Sequence, residues 1–254
     1  MAININLELT DHCNLKCKMC SQSMRDEAHG VPSKFMAWDT WRTLLHNLSN
    51  YPEEIHLCPH WLGEPTIHPQ FDMFVEYAFA VNRKNRLFRE FKLHTNAVVF
   101  SEQRSKLLIQ LANLPTMAND TFNFIHFSID AFSKDTYKTV KGTDKRDIVF
   151  RNVANFLRIR SELNFERPFA SIAFVVQPEN HHEADQFLQY WSKELKRYEC
   201  GFTIDHDWQK EHKDSIYFRR LNSSEQHLSD KLHADTLIRL GVLSEPPVRM
   251  AESF

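Results

Sequence analysis

The chain has 254 residues, 42% of them hydrophobic, and its 31 basic and 33 acidic side chains give a formal net charge of -2. That length suits one substantial core, favouring a single large α/β domain, and the balanced charge leaves no field to draw the whole molecule to nucleic acid or to an anionic membrane. No apolar run reaches the roughly 18 to 20 residues of a membrane span, and Met1–Asn6 lacks a basic leader, so a soluble cytoplasmic protein is expected.

In chain order, Ile3 to Leu9 alternates apolar and polar residues and reads as a strand running into a cysteine-rich loop. Trp41, Leu44, Leu45 and Leu48 recur at helical spacing behind Asp39. A second strand is expected over Glu54–Cys58, a helix opened by Pro69 over Phe71–Val81, and a third strand over Phe91–His94, ending in Thr95-Asn96. A helix over Gln103–Leu111, a strand over Phe122–Ile129 and a helix over Ile148–Leu163 follow. Phe169–Val176, Glu183–Leu195 and Gly201–Ile204 complete the pattern as strand, helix and sixth strand. Beyond it, a capping box at Ser223-x2-Gln226 opens a helix carrying Leu228, Leu232, Leu237 and Leu240, stopped by Gly241 ahead of Pro246-Pro247.

Six βα repeats imply parallel strands, because parallel neighbours need crossovers. The expected fold is α/β: a partial (β/α)6 TIM-like barrel with outer helices over residues 1–205, and a C-terminal helical extension over 206–254 packed on it. In such folds chemistry gathers at the carboxyl ends of the strands. The cysteine loop, His60 to Thr66, Thr95-Asn96, Ser128 with Asp130, and Gln177 with Asn180 all fall there.

Cys13, Cys17 and Cys20 place three thiols within eight residues in C-x3-C-x2-C spacing. The same offsets lie on one helical face, but Asp11, His12, Asn14, Lys16 and Lys18 make it a poor core face. A disulfide is disfavoured in a five-cysteine chain without a secretory segment. Zinc needs a fourth ligand, for which His12 and His29 are candidates; an iron-sulfur cluster fits the spacing, and unligated thiols are the third reading. The fourteen histidines are mostly scattered singly and carry no metal signal by number alone; adjacent His181-His182 is expected to point apart.

Five ordered motifs carry a resemblance. They are Cys13-x3-Cys17-x2-Cys20; Leu62-Gly63-Glu64-Pro65; Thr95-Asn96-Ala97; Phe127-Ser128-Ile129-Asp130 followed by Thr136-Tyr137-Lys138 and Val140-Lys141-Gly142; and Phe174-Val175-Val176-Gln177 with Asn180. In this order, over about residues 3 to 205, the sequence resembles the radical S-adenosylmethionine (SAM) enzymes. The resemblance implies a 4Fe-4S cluster on Cys13, Cys17 and Cys20, with SAM on the iron that has no protein ligand. It also implies reductive cleavage of SAM to a 5'-deoxyadenosyl radical that abstracts hydrogen from a substrate.

Carried over residue by residue, the resemblance places Gly63 and Glu64 at the methionyl amino group and Ser128 and Asp130 at the ribose, with Thr95 or Asn96 adding contacts. It sets Lys141 at the methionyl carboxylate, where relatives often have Arg, and Met19 beside the adenine; Gln177 is a further contact. Leu62 and Ala97 stand where relatives have glycine, so the backbone there is expected to avoid conformations reserved for glycine. Cys58 and Cys200 are expected to be core residues, since a second cluster needs about four cysteines.

The core looks most like the branch that precedes a cysteine-rich SPASM-type domain, although no C-terminal cysteine cluster is present, so a minimal enzyme and a truncated product are both considered. The implied partners are a peptide, protein or small-molecule substrate and an electron donor such as flavodoxin or ferredoxin, with no membrane and no nucleic acid. Two alternatives stand beside this reading: a glycyl-radical enzyme activase, and a degenerate barrel acting as a binding module or structural metal site.

Overall fold

A computed structural model describes residues 2–23, 34–114, 121–206 and 212–244. Seven strands form one sheet in which every neighbouring pair is parallel: β1 (Ile3–Asn6), β2 (Ile55–Cys58), β3 (Glu90–Thr95), β4 (Thr121–Ser128), β5 (Phe169–Val176), β6 (Phe202–Asp205) and β7 (Asp214–Arg220). Their order is β1-β2-β3-β4-β5-β7-β6. Crossovers carry α1 (Trp38–Leu48), α2 (Phe71–Asn85), α3 (Glu102–Ala112), α4 (Lys134–Lys141), α5 (Arg146–Glu162) and α6 (Ala184–Arg197), and α7 (Gln226–Arg239) follows β7.

The expected parallel α/β architecture is present, with one strand more than the six repeats predict. β7 enters between β5 and β6, so residues 206–254 contribute a strand to the sheet as well as a helix. α4 is a second element that the periodicity did not mark. β1 ends at Asn6 rather than Leu9, because the Glu8 carboxylate turns to accept from the amides of Leu62 (2.6 Å) and Gly63 (2.8 Å). The capping box at α7 is half made: Gln226 Oε1 accepts from the Ser223 amide at 3.2 Å, whereas Ser223 Oγ accepts from Glu225. Pro246-Pro247 lie outside the described residues.

The two faces of the sheet differ. Ile55, Leu57, Phe91, Leu93, Ile125, Phe127, Ile172, Phe174, Ile216 and Phe218 point to the helices and form the buried core. Phe91 meets Phe122 edge-on at 5.0 Å, and Trp41 stacks on Phe74 at 5.4 Å while its indole N–H donates to the Phe74 carbonyl. The alternate residues, among them Asn4, Asn6, His56, Lys92, His94, Tyr217 and Arg219, line the other face, which borders an open polar cavity of about 880 Å³. A fully packed parallel sheet is apolar on both sides; here the strict alternation records a wet interior.

Candidate functional site

The cysteine loop crosses the carboxyl end of the sheet, fixed by its backbone. Thr10 Oγ1 donates to the Lys34 carbonyl (2.7 Å), the Glu64 amide to the His12 carbonyl (2.8 Å) and the Lys18 amide to the Val140 carbonyl (2.9 Å). Two glycines make these approaches feasible. A Cβ on Gly63 would stand 2.0 Å from the Thr10 carbonyl oxygen and 2.8 Å from that of His12. A Cβ on Gly142, at φ +72°, would meet the Lys16 carbonyl oxygen at 2.7 Å. Only glycine at both positions lets the loop seat on β2's exit and on the end of α4.

The thiols are partly exposed on this loop. Burial pushes the Cys13 thiol up to about 12 and also raises Cys17, against the pull of the Lys141 ammonium. Thiols so held release protons when they bind metal as thiolates. Asn96 Nδ2 lies 3.8 Å from Cys13 Sγ and donates to Asn14 Oδ1 at 2.8 Å, tying the exit of β3 to the loop. Among the described residues no three Cys, His, Asp or Glu side chains stand close enough to hold a single metal ion. A multi-iron cluster places its cysteines on separate irons, and thiolates are its ordinary donors, so three cysteines leave one iron of a four-iron cluster without a protein ligand. His12, weighed as a zinc ligand, sets its ring edge-on to Phe35 at 6.1 Å; His29 lies outside the described residues.

The structure gives three of the expected cofactor residues employment inside the protein. Glu64 is buried, and its carboxylate accepts from the Thr66 amide (3.1 Å), Thr66 Oγ1 (2.5 Å), Thr95 Oγ1 (2.7 Å) and the Asn96 amide (2.6 Å). Burial raises its pKa, and these bonds oppose the rise without cancelling it. Three of these bonds fall on Oε1 and one on Oε2, so Glu64 clamps β2's exit to β3's while Oε2 keeps acceptor capacity. Asp130 accepts from the Lys141 ammonium and from the Val175 amide (2.7 Å). Burial disfavours the Lys141 charge, but Asp130 and Cys17 outweigh it and its pKa is raised.

Met19 lines the cavity with Cys20 and Leu62, while Ser128 is half-buried at the end of β4. Thr95 is committed to Glu64 and Asn96 to the loop. Gln177 is 2% exposed, and its Nε2 has no hydrogen-bond partner. The Tyr137 hydroxyl, buried among charges that include Lys141, Cys17 and Asp130, is likewise unpartnered. Buried donors without a protein partner are the groups a bound ligand or water can satisfy.

Ala97 corrects an expectation. Its φ is +61°, in the left-handed region, and the conformation is held by its amide donating to Thr95 Oγ1 (3.1 Å) and by Asn152 Nδ2 donating to its carbonyl (2.8 Å). The glycine-type turn is therefore kept despite the methyl group, at a cost of about 1 to 2 kcal/mol.

A row of histidines on the inner face went unremarked in the sequence. His60 stacks on His94 (5.2 Å, 7° between planes), and His94 meets His126 at 4.7 Å. Burial lowers all three, His60 to about 4 and His126 to about 3, so they are neutral imidazoles at pH 7. The legible signal was the alternation Glu90, Lys92, His94 on one strand beside Phe124, His126, Ser128 on the next. Of the spare cysteines, Cys58 is buried in the cavity wall, and half-buried Cys200 accepts from Arg160 Nη2 at 3.2 Å.

A family model for the radical SAM superfamily matches residues 7–190. The chain belongs to this superfamily. A Pyrococcus furiosus relative, the tungsten-containing aldehyde ferredoxin oxidoreductase cofactor-modifying protein, is 24% identical over 185 residues, covering 72% of this chain and 46% of its own length. Among solved structures, anSMEcpe with bound AdoMet and the Cp18Cys peptide is 15% identical at a TM-score of 0.62, over 94% of this chain and 60% of that one. Streptococcus suis SuiB follows the fold at a TM-score of 0.55 with 10% identity, over 94% of this chain and 47% of that one. The radical SAM chain studied here thus spans about half the length of the curated relative it matches, and likeness at these identities speaks to fold alone. Among the described residues no helix is long and apolar enough to cross a membrane.

Proposed function

We propose that this radical SAM chain carries a 4Fe-4S cluster on Cys13, Cys17 and Cys20 and binds SAM beside it, at the mouth of the polar cavity. When bound, that pair supplies reductive cleavage of the sulfonium and a 5'-deoxyadenosyl radical able to take hydrogen from a substrate. The observation that carries the reading is the seating of a three-thiol loop, locked at Gly63 and Gly142, directly over an open polar cavity.

The chain's own residues divide the remaining work. Gly63 and Gly142 hold the loop down, and Glu64 fixes Thr95 and Asn96 so that Asn96 meets the Cys13 sulfur. The Asp130–Lys141 pair anchors the wall behind Cys17, and Asn180 braces it by donating to the Asp130 carbonyl (2.7 Å). Met19 supplies an apolar surface, while Ser128 and the Gln177 amide offer polar contacts to SAM. The substrate is a peptide, protein or small molecule: the Pyrococcus relative is described as modifying a cofactor, and the anSMEcpe structure holds a peptide. A flavodoxin or ferredoxin in the cytoplasm supplies the electron.

Anaerobic reconstitution with iron and sulfide tests the ligand set. Cys17→Ala abolishes the cluster absorbance, whereas Cys58→Ala and Cys200→Ala retain full iron content; loss of iron in either control means the ligands are misassigned.

A further inference from the structure

Resting on that reading, the cavity itself narrows the substrate. Its wall is built from inward residues of β1, β2, β3 and β7 together with His60, Trp61 and Asn222, and none of its lining residues is acidic. Two are cationic, Lys92 and Arg219, and they differ in how they are satisfied. Lys92 pairs with Glu90 at 3.2 Å, and His56 stands 3.7 Å from the same carboxylate, so that acid is already engaged. The Arg219 side chain has no hydrogen-bond or ion-pair partner among the described residues.

Position adds to charge. Arg219 lies level with Val175 near the carboxyl end of β7, the same end of the sheet as the cysteine loop. Two residues lower on β7, the Tyr217 ring meets His126 at 5.9 Å, so the arginine stands above a floor of aromatic rings and neutral imidazoles. The side-chain amides of Asn4, Asn6 and Asn222 line the same space. A planar fork of donors with no protein acceptor, in a cavity free of carboxylates at its wall, matches a carboxylate or phosphate. A cationic substrate would meet like charge at Arg219. A volume of about 880 Å³ accommodates a metabolite-sized group.

We propose that the substrate bears a carboxylate or phosphate group and that Arg219 receives it, orienting the rest of the molecule toward Met19 and Cys20. The group is an oxyanion in either case; the two chemistries are separated by experiment. Arg219 is exposed, so replacing it leaves the fold intact, and its neighbour Arg220, paired with Asp230 at 3.0 Å outside the cavity, controls for net charge.

Calorimetric titration of the reconstituted full chain at fixed ionic strength, with succinate, inorganic phosphate and neutral succinamide, with and without SAM, tests this. Succinate or phosphate binds saturably and succinamide does not; Arg219→Gln weakens anion binding by about ten- to a hundredfold, the worth of a charge-assisted hydrogen bond, and Arg220→Gln leaves it unchanged. Tighter succinate assigns a carboxylate substrate, and tighter phosphate a phosphorylated one. Absence of saturable anion binding overturns the proposal, as does undiminished binding by Arg219→Gln. An equal loss of SAM affinity in that variant also overturns it, since Arg219 would then serve the cofactor. None of these readouts requires SAM to be cleaved, so failure here is distinct from failure of the radical chemistry.

Discussion

The Lys141 ammonium donates to Asp130 Oδ2 in an ion pair whose two side chains are each 2% exposed, beside the middle cysteine of the loop. Asp130 sits at φ +62°, a conformation that asparagine also tolerates, so Asp130→Asn removes charge while keeping the backbone. It strands a buried cation and is expected to cost about 3 to 5 kcal/mol in urea unfolding. A loss below about 1 kcal/mol would show that Lys141 finds another partner or water.

Gly63→Ala is expected to leave helix content unchanged by circular dichroism while lowering reconstituted iron toward the Cys17→Ala level. The added carbon would lie 2.0 Å from a backbone oxygen of the loop, a contact that no rotamer relieves. Full iron content in this variant would show that the loop seats without that close approach.

Stability should fall as the solution is acidified below about pH 6.5. Burial pulls His60 down to about 4 and His126 to about 3, below the ordinary histidine value of about 6.5. Between these values the unfolded chain binds more protons than the folded one, so acid favours unfolding. Each such histidine contributes up to about 1.4 kcal/mol per pH unit across its window. His126→Gln removes one contribution and should flatten the dependence between pH 6 and pH 4; an unchanged slope in denaturation midpoints would refute it.

Gln177→Leu is expected to alter stability by less than about 1 kcal/mol, because the lost amide leaves an Nε2 that had no partner. Equilibrium dialysis should nonetheless show SAM binding weakened about tenfold, the worth of one hydrogen bond to a charged group. Unaltered SAM affinity would place Gln177 outside the cofactor pocket.

The strand exits were legible because each motif combined a β-run with a polar stop, and the structure sets Cys13, Glu64, Asn96, Asp130 and Gln177 at those exits. Roles were less legible than places. Glu64 and Asp130 are acids whose partners, Thr66, Thr95, Asn96, Lys141 and Val175, come from distant segments, and no local pattern announces a carboxylate satisfied by the fold. β7 escaped because Asp214 and Ser215 open it and Arg219-Arg220 close it, leaving only Ile216 and Phe218 facing the core. α4 is eight residues long, too short for a periodic signal, yet its Ser133 cap and Gly142 stop were both visible. The histidine row was hidden because its members are far apart in sequence and meet only across parallel strands, with His94 opposite His126.

The central claim is that the loop, the cavity and a cluster together cleave SAM. Its most direct test is product analysis: the reconstituted, chemically reduced protein is incubated with SAM without oxygen, and 5'-deoxyadenosine is measured by chromatography. The wild-type chain is expected to release 5'-deoxyadenosine and Cys17→Ala none. A sample with an intact 4Fe-4S cluster that neither binds SAM nor releases 5'-deoxyadenosine would contradict it.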